Sequence, residues 1–229
     1  MQRVITLSVF SSLALFGCNA TEHALVSPAQ AAPAKQGAPV QVAPAKPAKP
    51  TAAQSGDQDL IARGGTLVSL GGCGDCHTPM QLDPTLGMPV PRRDRLLSGH
   101  PQGAPEPVGE PGKGDQGVIG ATFTSFRLPF GTVYSANLTP DKTTGLGNWT
   151  SAQFIQTMRT GHRQGTGRPL LPPMPWQNLA AATDADLTAI FAYLRSIPAI
   201  ENKVPAPNVP APVIDSIAKS YAAAARASH

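Results

Sequence analysis

Cysteine is scarce in this chain: three residues among 229, none of them after Cys76. A zinc site built on Cys73 and Cys76 would want a second Cys/His pair further along, so that reading lacks half its ligands. No βαβ pattern surrounds the pair, which counts against a thioredoxin-like redox motif. Aromatic residues make up only 5% of the chain, and the apolar material falls into a few segments, which points to one compact core with long excursions. No apolar run after the first seventeen residues is long enough to span a bilayer. Excess charge is missing too: from Gly56 onward 14 Lys+Arg face 13 Asp+Glu. A nucleic-acid protein concentrates basic charge on its folded face, so that class is set aside. Proline and glycine, by contrast, are plentiful at 25 and 22 residues, and much of the chain is expected to be irregular.

What is present is organised around Cys73-Gly74-Asp75-Cys76-His77. A C-x-x-C-H run reads as the attachment site of a c-type haem. Two thiols add across the haem vinyl groups, and the imidazole that follows at once is held under the ring as an iron ligand. A disulfide or a redox-active pair is the alternative for the two thiols. The distal ligand is the open question, and the candidates are Met80, Met88, Met158, Met174, His100 and His162. Met80 lies three residues after His77, too few to pass round a porphyrin. Met158 falls on an apolar helix stripe with Phe154 and reads as core. Met174 stands between Pro173 and Pro175, which bias the backbone to extended conformations and remove competing amide donors. It is the favoured candidate, with His162, His100 and an open site as alternatives.

Four segments are expected. Residues 1–17 have the form of a lipoprotein-type signal peptide, with Arg3 ahead of an apolar run that ends in Leu15-Phe16-Gly17-Cys18. Cys18, left over once two cysteines hold haem, would be lipidated; cleavage after Ala20 is the alternative. Residues 18–55 form an Ala/Pro/Lys-rich tether, on the order of 80–100 Å if mostly polyproline II. The chain would then sit outside the cytoplasm, in the periplasm, anchored to a membrane without crossing it. Residues 56–200 form the haem domain, and 201–229 a Pro-rich link with a C-terminal helix. Within the domain, helices are expected over about 57–70 (capped by Ser55 and Gln58), 151–160 (capped by Thr150 and Gln153, stopped by Gly161) and 184–196, with a fourth from about Val213. Between Thr78 and Asn148 only a short hairpin is visible, 122–126 with 132–137. The segment from Gly99 to Gly120 reads as a mobile excursion. Phe123, Phe126, Phe130 and Tyr134 are expected to be buried, as core or around the haem edge.

From about Asp59 to Pro198 the chain resembles the bacterial cytochrome c family that includes the cytochrome subunits of periplasmic alcohol, aldehyde and gluconate dehydrogenases. The stretches that carry the resemblance are Arg63-Gly64 with Leu67-Val68, CGDCHTP at 73–79, SANLTPD at 135–141, TGLGNWTSAQF at 144–154, LLPPMPW at 170–176 and DADLTAIFAYLRSIP at 184–198. The resemblance implies one covalent haem c on Cys73 and Cys76, with His77 and Met174 as its axial ligands. It also implies a mainly α cytochrome c fold, whose N- and C-terminal helices cross over the haem with Gly64 against Phe191 or Tyr193, and with a long loop and short β-hairpin inserted. The function that follows is one-electron transfer between a dehydrogenase or quinol-linked donor and an oxidase or another cytochrome, with no catalytic residue. The alternatives are a haem enzyme or gas sensor with an open distal site, and a structural or assembly subunit.

Overall fold

A computed structural model describes residues 52–111 and 116–227, and these residues hold six α-helices and five short strands. The expected signal segment, Cys18 and the tether up to residue 51 lie outside the described residues. Six α-helices run in order: α1 (Ala52–Leu70), α2 (Cys73–His77), α3 (Ser151–Thr160), α4 (Trp176–Ala180), α5 (Asp184–Ser196) and α6 (Ala211–Ala227). Five short strands lie between α2 and α3: β1 (Met80–Asp83), β2 (Met88–Pro91), β3 (Val118–Ile119), β4 (Ser125–Leu128) and β5 (Gly131–Tyr134). No helix among the described residues is long and apolar enough to cross a membrane.

Helix α1 starts earlier than its sequence pattern indicates. Ala52-Ala53-Gln54 are good helix formers and extend it upstream, so Ser55 lies inside the helix rather than capping it. Helices α3 and α5 match their expected bounds because their capping chemistry is strong. The Thr150 hydroxyl accepts from the Gln153 amide, and the Gln153 side chain accepts from the Thr150 amide, a complete capping box. Gly161 closes α3 in the left-handed conformation. Thr183 caps α5 by accepting from the Asp186 amide at 3.1 Å. Helix α6 begins at Ala211, two residues ahead of expectation, since Pro212 costs no hydrogen bond in a first helical turn.

Helices α1 and α5 pack together through a glycine. A Cβ on Gly64 would stand 2.5 Å from the Ala189 carbonyl carbon and 2.8 Å from the Tyr193 Cβ, so only a bare backbone fits. The partners are Ala189 and Tyr193; Phe191, the other residue expected there, turns inward to the core instead. Val68, Leu187, Ile190, Phe191 and Leu194 form that core with Phe154 and Met158 of α3 and with Leu97 and Leu146 from the loops. At its rim Arg63 meets Asp186 at 2.9 Å, an exposed pair of small energetic weight.

The strands make two small antiparallel sheets, β1–β2 and β3–β4–β5. The β4–β5 hairpin turns at Pro129-Phe130, as expected, but its strands are 125–128 and 131–134, with Ser125 opposite Tyr134. The β1–β2 hairpin has no counterpart among the sequence expectations; it pairs Met80 with Pro91 and Asp83 with Met88. Its prolines and its exposed Leu82, Leu86 and Met88 give none of the alternation that marks a half-buried strand. A second, smaller core joins Phe126, Val133 and Leu171 to Phe130 and to Ile214 and Ile217 of α6. Phe126 and Phe130 are thus ordinary core, whereas Phe123 is 40% exposed and shields nothing.

Candidate haem-binding site

The two glycines that end α1 set up the site. The Gly71 amide donates to Leu67 O, and Gly72 adopts the left-handed conformation and accepts from the Asp75 amide at 3.0 Å. The chain thereby turns at once into α2, a single turn that carries Cys73, Cys76 and His77 together. Cys73 is half-buried against the main core and Cys76 is exposed; both are free thiols. Burial pushes both thiols above their ordinary pKa, with the nearby Asp75 carboxylate adding to the effect.

His77 is buried and held from three directions. Its backbone carbonyl accepts from the Gly99 amide at 2.7 Å, and the adjacent Thr78 hydroxyl accepts from the Leu97 amide at 3.0 Å. Its ring Nδ1 lies 2.8 Å from Ala136 O. A carbonyl only accepts, so Nδ1 carries the proton and Nε2 keeps a free lone pair, the tautomer a metal-binding imidazole needs. Burial lowers the His77 pKa, only partly countered by the Ala136 bond, which keeps the ring neutral. The carbonyl is itself fixed by its neighbour. Buried Asn137 donates to Ile200 O at 2.8 Å and to the Thr144 hydroxyl, and accepts from the Thr139 amide and hydroxyl. The SANLTPD stretch thus serves as a scaffold behind the histidine.

The excursion expected from Gly99 starts later than that. Gly99 and His100 are buried, and His100 is tied to the Ser135 carbonyl by its amide. Asn202, 1% exposed, donates to Ser98 O and His100 O and accepts from the Gln102 amide. That anchor is a polar side chain a hundred residues away, and nothing in the local sequence signals it.

The six candidate distal ligands lie in different settings. Met158 is buried in the main core, Met80 lies on β1 and Met88 is exposed on β2. His100 Nδ1 pairs with the Thr124 hydroxyl, and its ring packs on Tyr134. His162 Nδ1 faces Thr160 O at 2.8 Å. Met174 is half-buried on the loop between α3 and α4, where its amide donates to Leu171 O, and its sulfur has no hydrogen-bond donor among the described residues. Trp176, two residues on, is 4% exposed.

The donor set fits a haem better than a bare metal ion. Among the described residues no three His, Cys, Asp or Glu side chains converge as a metal-binding group. Four buried side-chain atoms, Arg95 Nε, Ser98 Oγ, Ser125 Oγ and Trp176 Nε1, have no partner among the described residues; such groups are rare and each calls for a partner. An anionic group at Arg95 or at Trp176 would supply one there. A cleft of about 230 Å³ borders the motif at Gly72, Gly74 and Asp75, together with Leu96 and Tyr193; neither His77 nor Met174 lines it.

Comparison with known proteins points the same way. The chain is 31% identical over 160 residues, 70% of its length, to a subunit of the nicotinate dehydrogenase of Pseudomonas putida. It is 29% identical over 156 residues to the cytochrome c subunit of the quinone alcohol dehydrogenase of Gluconobacter oxydans. Over 65 residues it is 43% identical to the gluconate 2-dehydrogenase cytochrome c subunit of Pantoea cypripedii. The matched stretch makes up only 10%, 25% and 14% of those three proteins, so the chain corresponds to a minor part of each. No family model matches the chain.

Proposed function

We propose that this chain is a single-haem electron carrier with the cytochrome c fold, from its similarity over 67% and 65% of its length to cytochrome subunits of two dehydrogenases. Cys73 and Cys76 would hold a haem by thioether bonds, and His77 through Nε2 and Met174 through its sulfur would ligate the iron. The observation that carries this reading is the His77–Ala136 bond beside the two thiols, which fixes the imidazole tautomer and its orientation before any metal arrives. Bound haem supplies a reversible one-electron change at iron. The remaining work falls to the protein. A His77 and Met174 ligand pair would raise the potential relative to two histidines. Burial of His77 and Trp176 excludes water, and the unpartnered Arg95 and Trp176 donors are available to the haem carboxylates. With both ligands in place no position would be left for a substrate, and the chain would transfer electrons without catalysing a reaction itself.

Its partners in this reading are a dehydrogenase or quinol-linked donor and an oxidase or second cytochrome, met through small, transient contacts. In the same reading the leader and Cys18 would put the carrier in the periplasm on a lipid anchor, with the Ala/Pro/Lys-rich stretch after Cys18 as its tether. Haem-dependent peroxidase staining after denaturing electrophoresis tests the attachment. The stain should remain with the wild-type band and be lost when Cys73 and Cys76 are both replaced by Ala; haem that washes out of the denatured wild-type protein contradicts it. Stopped-flow mixing with a reduced dehydrogenase tests the function, and rapid CO binding to the reduced protein would favour the open-site alternative.

A further inference from the structure

We infer that Tyr221, on the C-terminal helix α6, is a positioning residue that clamps the Met174 arm closed. The inference rests on the proposal that Met174 is an iron ligand. Met174 sits between Leu170 and Trp176, and Tyr221 touches both. Its hydroxyl donates to Leu170 O at 2.9 Å, and its ring meets the Trp176 indole edge-on, with centroids 4.9 Å apart at 66°. Trp176 in turn lies against the end of α3: a Cβ on Gly161 would stand 2.5 Å from an indole ring carbon. Gly161 O accepts from the Leu170 amide at 2.7 Å, which closes the base of the arm. The edge of His162 completes the cluster, 6.4 Å from the Tyr221 ring.

Tyr221 can act as a clamp because its own helix is also anchored away from the arm. Ile214 and Ile217, two and one turns earlier on α6, pack into the second core, where Phe126 and Val133 of the β4–β5 hairpin join Leu171 of the arm. The tyrosine is itself only 8% exposed. Helix α6 therefore carries packing energy from the β4–β5 hairpin to the arm, and the Tyr221 hydroxyl and ring are its points of delivery. Opening the arm far enough to withdraw Met174 must break the Leu170 hydrogen bond or slide Trp176 off the tyrosine edge. Both losses favour the closed state, and both are absent from an α6 that lacks Tyr221.

The test is imidazole capture by the oxidised, full-length holoprotein, with the near-infrared sulfur-to-iron band and the midpoint potential read in parallel. Imidazole enters only when the methionine leaves, so its apparent affinity reports the open population. Tyr221→Phe, which removes one hydrogen bond and keeps the ring, should bind imidazole about fivefold more tightly. Tyr221→Leu, which also loses the aromatic edge, should exceed about tenfold, and both should lower the potential. Lys219→Ala, on the exposed face of α6, should match wild type. Wild-type imidazole affinity and potential in Tyr221→Phe, with the band present, overturn the clamp alone. A wild-type protein without the band overturns Met174 ligation and the clamp with it.

Discussion

Replacing Gly64 by Ala probes the helix packing on which the domain is built. The added methyl would stand 2.5 Å from the Ala189 carbonyl carbon and 2.8 Å from the Tyr193 Cβ, against ordinary carbon contacts of 3.4–4 Å. Relief requires α1 and α5 to part by about 1 Å, because the obstruction is backbone and Cβ, neither of which can rotate away. Parting them loosens Val68 against Leu187, Ile190 and Leu194. Overpacking of this kind costs about 1–3 kcal/mol, and a rigid obstruction belongs at the upper end. Alanine returns up to about 1 kcal/mol of helix propensity, so the net loss is about 2 kcal/mol. Gly65→Ala is the internal control. Its methyl would meet the Tyr193 ring at 3.1 Å, and a half-buried ring can swing, so propensity and crowding should cancel to within about 0.5 kcal/mol. Urea unfolding of the two holoproteins, followed by far-UV circular dichroism, gives the comparison. Gly64→Ala equal to or more stable than Gly65→Ala would refute the close packing of the two helices.

Asn202→Ala should destabilise the protein by about 3 kcal/mol, since it strands Ser98 O, His100 O and the Gln102 amide in or near the interior; a loss below about 0.5 kcal/mol in the same assay would contradict that anchoring role. Tyr134 is pushed up to about 12, chiefly by burial and then by its hydrogen bond to Glu106. Its folded-state pKa exceeds the unfolded value, so its contribution to stability is fully present below pH about 10 and is lost as pH rises through about 12. Spectrophotometric titration should show one tyrosine ionising late, absent in Tyr134→Phe; identical curves would refute it.

What could be read in the sequence followed the range of the signals. The α3 capping box, the Thr183 cap and the Gly161 stop are local, and α3 and α5 fall where those residues put them. The C-x-x-C-H spacing is equally local, and one helical turn gathers its three side chains. The early start of α1 is hidden because Ala52-Ala53-Gln54 continue a composition shared with the Pro-rich stretch before them. The β1–β2 hairpin is hidden because Met-Pro-Val-Pro carries no alternation. Short helix α4 follows a proline with too few residues to show a period. The partners that fix the site, Ala136 O behind His77 and Asn202 beneath 98–102, are a backbone atom and a residue distant in sequence. Neither leaves a pattern. Tyr221 does lie on a recognisable stripe with Val213 and Ile217, but only the structure shows that the stripe ends on Trp176.

The central claim is that this chain carries one covalent haem whose iron is closed by His77 and Met174, and the near-infrared spectrum of the oxidised protein tests it most directly. The wild type should show a weak sulfur-to-iron band, Met174→Ala should lose it together with a lowered midpoint potential, and CO should bind the reduced protein only in that variant. A wild type that lacks the band and binds CO rapidly, with a spectrum unchanged by Met174→Ala, would contradict it.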